Sequence, residues 1–134
     1  MSAASYRYED RFGAIIDHPS TEVLEIRWYD ATSEMTADDF NRWLATFAGE
    51  VEASGRTHAL VDAVQFNMPM DQMSLGWRDE HIIPRYASAG MQRFAFLMPA
   101  GMPAIGAEPA AEGPARFPTG YFGTRADALA WLAG

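Results

Sequence analysis

The sequence predicts an α/β fold: a four- to five-stranded mixed, mostly parallel sheet with an antiparallel edge and about three packed helices. Two observations carry this prediction. A turn signal, His-Pro-Ser, joins two strand-like runs into a hairpin over residues 13–28, and strand-like and helical segments alternate after it. Because neighbouring parallel strands need crossover connections, that alternation favours a largely parallel sheet covered by helices.

Short apolar or alternating runs bounded by turn residues are compatible with strands. They lie at residues 6–8, 13–17, 22–28, 58–62, 93–98 and 117–122. The run His58-Ala-Leu-Val-Asp62 is typical of a buried parallel strand, and we expect it at the centre of the sheet. The antiparallel strand is expected at an edge.

The first predicted helix has the clearest boundaries. Thr36 followed three residues later by Asp39 is a variant of the capping box, and Gly55 is expected just past the end. Apolar side chains between them fall on one helical stripe: Phe40, Trp43, Leu44, Phe47, Ala48 and Val51.

Two further helices follow. The second is predicted over residues 70–88, where Pro84 must kink or restart the helix because it removes a backbone hydrogen bond, and Gly90 closes it. The third begins after Thr124, with Asp127 in the capping position. Between them, residues 99–116 alternate proline and glycine among alanines, which predicts a flexible insertion or a lid within a single domain of residues 1–134.

Composition excludes several classes of function. The chain has no cysteine and no lysine, which rules out disulfides, thiolate metal sites and Schiff-base chemistry. Its net charge of −8 disfavours nucleic acid as a partner. No apolar run reaches membrane-spanning length and no signal peptide is recognised, so a cytoplasmic protein without a membrane span is expected. The three histidines are widely separated, and neither a metal site nor a cofactor is predicted.

A ligand-binding site is predicted where the central strand ends, because ligands of open α/β sheets bind at the carboxyl ends of the strands. The proposed ligand-binding residues are Asp62, Phe66, Asn67, Met68, Met70 and Asp79. Methionines suit adaptable apolar pockets. Each residue also has an ordinary structural interpretation: the acids can accept backbone or arginine hydrogen bonds, and the methionines can fill the core or a dimer patch.

Four stretches of the chain resemble the STAS superfold, the domain of sulfate transporters and anti-sigma factor antagonists, in its SpoIIAA-like branch. They are Trp28 with Ala31-Thr-Ser-Glu-Met-Thr36, Leu60-Val-Asp62, Glu80-His-Ile-Ile-Pro84, and Tyr121-Phe122 leading to Ala128-Leu-Ala-Trp-Leu132. The resemblance implies a non-enzymatic regulatory or binding domain with a protein partner or a small apolar ligand. Members that act as phospho-switches carry a serine in the turn after the Val-Asp strand. Here Ala63-Val-Gln-Phe-Asn-Met-Pro-Met70 has neither serine nor threonine, so the phospho-switch is not carried over.

Two other functions stay open from the residues alone. Asp79 falls on the apolar face of the second helix, and either it or Asp62 could act as the general base of a small hydrolase or isomerase. Alternatively, Trp77 and the methionines could form the contact surface of a homodimeric structural module.

Overall fold

The computed structural model describes residues 4–68, 75–99, 106–107 and 118–134. Within these ranges seven strands form one sheet: β1 (Ser5–Asp10), β2 (Gly13–His18), β3 (Val23–Trp28), β4 (His58–Asp62), β5 (Arg93–Leu97), β6 (Gly106–Ala107) and β7 (Thr119–Phe122). Their order across the sheet is β1-β2-β3-β4-β5-β7-β6. The strand β4 is therefore central, as the sequence predicts.

Strand directions confirm the α/β class and the mixed sheet. The four strands β3, β4, β5 and β7 run parallel, whereas β1 and β2 form an antiparallel meander with β3 at one edge. The short strand β6 adds an antiparallel pairing at the other edge. The sheet thus has more strands than the four to five expected, because the first run and the two-residue β6 both pair.

The helices are α1 (Ala37–Ser54), α2 (Leu75–His81), α3 (Ile83–Ser88) and α4 (Arg125–Ala133), with a short 3-10 helix at Asp30–Glu34. The start of α1 is a complete capping box, because Thr36 accepts from the Asp39 N–H while Asp39 accepts from the Thr36 N–H. Gly55 ends α1 at φ 71°. The predicted interruption at Pro84 is confirmed: α2 ends before it, and Pro84 lies in the first turn of α3.

The sheet packs helices on both faces. One face carries the larger core, in which Leu24, Ile26 and Trp28 of β3 meet the apolar stripe of α1 and the region of α2 and α3. On the opposite face, Leu60, Ala95 and Leu97 meet Ala128 and Leu132 of α4. We call these the α1 face and the α4 face. Alternate residues of each strand point to opposite faces, so β3 places Glu25 and Arg27 on the α4 face.

The predicted insertion contains one described element. Gly106 and Ala107 form β6 and pair with Tyr121 and Gly120 of β7, a strand that the composition gave no reason to expect. Residues 100–105 and 108–117 lie outside the described ranges. No helix among the described residues has both the length and the apolar character needed to cross a bilayer.

Candidate functional site

The turn that follows β4 lies at the carboxyl edge of the parallel strands. We call residues 63–68 the edge turn. Hydrogen bonds fix the first part of its backbone: the Ala63 N–H donates to the Leu97 carbonyl (2.9 Å), the Phe66 N–H to the Ala63 carbonyl (3.1 Å), and the Val64 N–H to Oδ1 of Asp62 (3.1 Å). The edge turn is therefore an ordered extension of the sheet.

Aromatic side chains support the edge turn from the α1 face. The Phe66 ring lies 5.3 Å from the Trp28 ring and 6.2 Å from the Phe40 ring, measured between centroids. Met68 is buried in the same cluster. Packing of this kind holds the turn against the core, because aromatic side chains bury large areas and prefer such tilted contacts.

A buried threonine ties the edge turn to the 3-10 helix. The Thr32 hydroxyl accepts from the Asn67 N–H (2.8 Å) and donates to the Tyr29 carbonyl (2.9 Å). Thr32 is fully buried, so both hydrogen bonds are shielded from water and satisfy a group that would otherwise be costly to bury. Val64, in contrast, keeps 47% of its surface exposed at the rim of the sheet.

Next to the edge turn, on the α4 face, lies a set of charged side chains built around Glu25. Glu25 is fully buried and accepts two hydrogen bonds from Arg125, Nη1 to Oε1 at 3.1 Å and Nη2 to Oε2 at 2.9 Å. Arg27 adds two more at 3.0 and 3.3 Å, and His18 Nε2 lies 2.7 Å from Oε1. With Asp62, these residues form what we call the Glu25 cluster.

Strand register and helix capping bring the Glu25 cluster together. Arg27 pairs with Asp62 across β3 and β4, which places both on the α4 face beside Glu25. The N-cap Thr124, which accepts from the Asp127 N–H, starts α4 so that its first residue, Arg125, reaches both carboxylates.

The Glu25 carboxylate is held in its charged form. Burial by itself would raise its pKa, but the hydrogen bonds from Arg125 and Arg27 outweigh burial and hold the pKa of Glu25 below its ordinary value of 4.5. A general base needs a pKa close to the working pH. Glu25 is therefore an acceptor of fixed hydrogen bonds and a poor proton carrier at neutral pH.

Asp62 belongs both to the edge turn and to the Glu25 cluster. Its Oδ2 accepts from Arg125 Nη2 at 2.7 Å, while its Oδ1 accepts from the Val64 N–H. The structural interpretation of Asp62 as an acceptor for the following turn is thus present in the structure. The ligand-binding role predicted for it remains a prediction.

The structure separates the sequence-predicted site residues into two groups. Phe66 and Met68 pack together on the α1 face, whereas the Asp62 carboxylate lies with Arg125 on the α4 face. Asn67 is exposed and contributes its backbone N–H to Thr32. Met70 lies outside the described residues, as does the side chain of Asp79, whose backbone belongs to α2.

Sequence reasoning missed Glu25, Arg27, Arg125 and the bridging Thr32. One signal was available: a glutamate in the middle of the apolar strand Val23-Leu-Glu-Ile-Arg-Trp28, which alternation alone assigns to a polar outer face. A helix covering that face converts an apparently solvated glutamate into a buried one. Its arginine partner stands a hundred residues later, where no local pattern points to it.

A second feature, a small pocket, lies between β1 and α1. It has a volume of about 60 Å³, and its lining includes Tyr8, Asp10, Arg42 and Trp43. Asp10 accepts from the indole N–H of Trp43 through both oxygens at 3.1 Å and from the Tyr8 hydroxyl at 2.7 Å. Because ligand pockets usually exceed about 300 Å³, this pocket suits one or two waters and a structural role for Asp10.

No protein-family model matches the chain, and no curated protein or solved structure matches it either. In the part of the chain that the structure describes, no group of three or more metal-ligating side chains converges.

Proposed function

We propose that the protein is a non-enzymatic regulatory or binding module of the kind that STAS and SpoIIAA-like domains represent, and that it binds a protein partner or a small apolar ligand at the edge turn. The observation that carries the proposal is the edge turn itself: it is ordered by backbone hydrogen bonds yet leaves Val64 47% exposed at the carboxyl edge of the central strand. That edge is where open α/β sheets hold ligands.

The arrangement around the turn supports binding over catalysis. Glu25 accepts hydrogen bonds from two arginines, and Asp62 accepts from Arg125 and the Val64 N–H. Every oxygen of the two carboxylates therefore already has a partner within the protein. These hydrogen bonds help to fix the shape of the site, and Val64 gives it one exposed apolar contact.

The edge turn also has the rigidity that a recognition surface needs. Phe66 of the turn packs on Trp28, and the Asn67 N–H donates a hydrogen bond to Thr32 in the 3-10 helix. A surface that is already ordered loses little conformational entropy when it binds.

The test is native mass spectrometry of the protein purified from its own host. A copurifying ligand or partner is expected with the unaltered chain, and it should be lost from Val64→Asp, which puts a charge at the exposed point of the edge turn. Tyr6→Asp is the matched control, because Tyr6 is 54% exposed on the distant edge strand β1. Loss from both variants, or a folded protein that carries nothing, would count against the proposal.

A further inference from the structure

We propose that Arg125 is a positioning residue for the edge turn, so that docking of α4 and the shape of the turn are coupled through Asp62. The inference rests on the proposed function only in treating the edge turn as a binding site. Its physical content is a chain of three contacts: Glu25 with Arg125, Arg125 with Asp62, and Asp62 with the Val64 N–H.

The two oxygens of Asp62 face different elements. Oδ2 lies 2.7 Å from Arg125 Nη2 at the start of α4, and Oδ1 lies 3.1 Å from the Val64 N–H in the edge turn. A carboxylate is planar and accepts through both oxygens, so a fixed contact at one oxygen narrows the directions in which the other can accept. The Asp62 side chain therefore transmits the position of α4 to the backbone of Val64.

Arg125 can orient Asp62 because Arg125 is itself oriented. Its guanidinium forms a two-point contact with the fully buried Glu25, which fixes the plane from which Nη2 reaches Asp62. Arg27 cannot replace it, since its Nε lies 3.9 Å from Asp62 Oδ2 and donates to Glu25 instead.

The position of Arg125 in α4 connects that helix to Asp62 and the edge turn. Arg125 is the first residue of α4, and the rest of that helix is held by the smaller core, with Ala128 and Leu132 packed on the α4 face. A displacement of α4 would release Asp62 and loosen Val64. By thermodynamic linkage, a ligand that fixes Val64 would also strengthen the docking of α4.

Amide hydrogen exchange measured by NMR on the free protein tests the coupling. We expect Arg125→Lys, which keeps the charge but loses the two-point contact, to speed exchange at the Val64 amide about tenfold, the effect of losing one ordinary hydrogen bond. The neighbouring Ala63 amide, which donates to the Leu97 carbonyl, should exchange as in the unaltered protein and serves as the internal reference. A purely structural role for Arg125 would raise both rates together.

A double-mutant cycle identifies Asp62 as the intermediary. Asp62→Ala removes the acceptor directly, so Arg125→Lys should add nothing at Val64 in that background. Thr124→Ala weakens the cap of α4 without altering the charges. It should also speed exchange at the Val64 amide, but by a smaller factor than Arg125→Lys. Arg85→Lys is the control for losing a two-point arginine contact elsewhere, because Arg85 contacts the exposed Glu52 through two nitrogens.

The outcomes are decisive in both directions. Unchanged Val64 exchange in Arg125→Lys, or an additive effect in the double variant, would overturn the coupling. Since these measurements need no ligand, they stand apart from the proposed function: the coupling can hold in a protein that binds nothing at the edge turn, and a ligand can bind there when the coupling fails.

Discussion

Glu25 on β3 and Arg125 at the start of α4 are a hundred residues apart in the chain, yet they form a two-point ion pair with N–O distances of 3.1 and 2.9 Å. The pair connects the smaller core to the centre of the sheet. It also makes the two residues unequal, because Glu25 is fully buried whereas about a third of the Arg125 side chain is exposed.

This difference in burial predicts which of the two residues stabilises the fold more when its partner is kept. Arg125→Met should lower the free energy of unfolding by about 3 kcal/mol, since it leaves a buried carboxylate with fewer partners. Glu25→Gln should cost less, about 2 kcal/mol, because both arginines can turn toward water. Urea denaturation of the two variants measures the difference. A larger loss in Glu25→Gln would contradict this account.

Acid should destabilise the protein partly through Glu25. Its pKa in the folded state is below the ordinary value of 4.5, so the unfolded chain binds more protons in acid. The stabilisation is complete above about pH 4.5 and is lost as the pH falls through the folded-state pKa. Urea midpoints measured between pH 7 and pH 3 should therefore decline less steeply in Glu25→Gln. Glu80→Gln controls for the loss of an exposed carboxyl group, and equal slopes in Glu25→Gln and the unaltered protein would show the interpretation to be wrong.

The same substitution at two glycines should have opposite effects. A Cβ at Gly13 would lie 2.6 Å from the Arg27 carbonyl oxygen of the paired strand, so Gly13→Ala should destabilise by about 2 kcal/mol. A Cβ at Gly49, inside α1, would meet nothing within 4 Å. Gly49→Ala should stabilise by about 0.5–1 kcal/mol because alanine favours helix. Thermal unfolding compares them, and a shared sign would refute the prediction.

Tyr29 should resist ionisation. Its hydroxyl donates to Glu9 Oε2 at 2.6 Å, and this hydrogen bond raises the pKa of Tyr29 to about 12. Because the folded-state pKa lies above the unfolded value near 10, the associated stabilisation is present below pH 10 and is lost as the pH rises toward 12. Glu9→Gln should shift the NMR titration of the Tyr29 ring to lower pH. An unshifted titration in Glu9→Gln would exclude Glu9 as the cause of the raised pKa of Tyr29.

Local signals in the sequence predicted most of the helices and strands. The capping box at Thr36, the restart at Pro84 and the central strand that ends in Asp62 are all confirmed, because each depends on residues close together in the chain. Backbone hydrogen bonds and side-chain sterics act over that same short range. The two-residue β6 escaped detection because so short a strand forms only through pairing with β7.

The position of the edge turn at the end of a central parallel strand was predictable, but the side chains around it were not. The end of β4 follows from the general behaviour of parallel sheets. The Glu25 cluster does not, since its formation requires knowing that α4 covers the same face as Glu25 and Arg27. For the same reason, grouping Asp62 with Phe66 as neighbours in sequence concealed that their side chains belong to opposite sides of the sheet.

The β1 edge of the sheet is a poor template for another molecule. The strand β1 changes register between Tyr6 and Tyr8, which interrupts the even row of backbone donors and acceptors that an incoming strand would need. This irregularity discourages another strand from adding to the sheet along β1, so association of two copies through that edge is disfavoured.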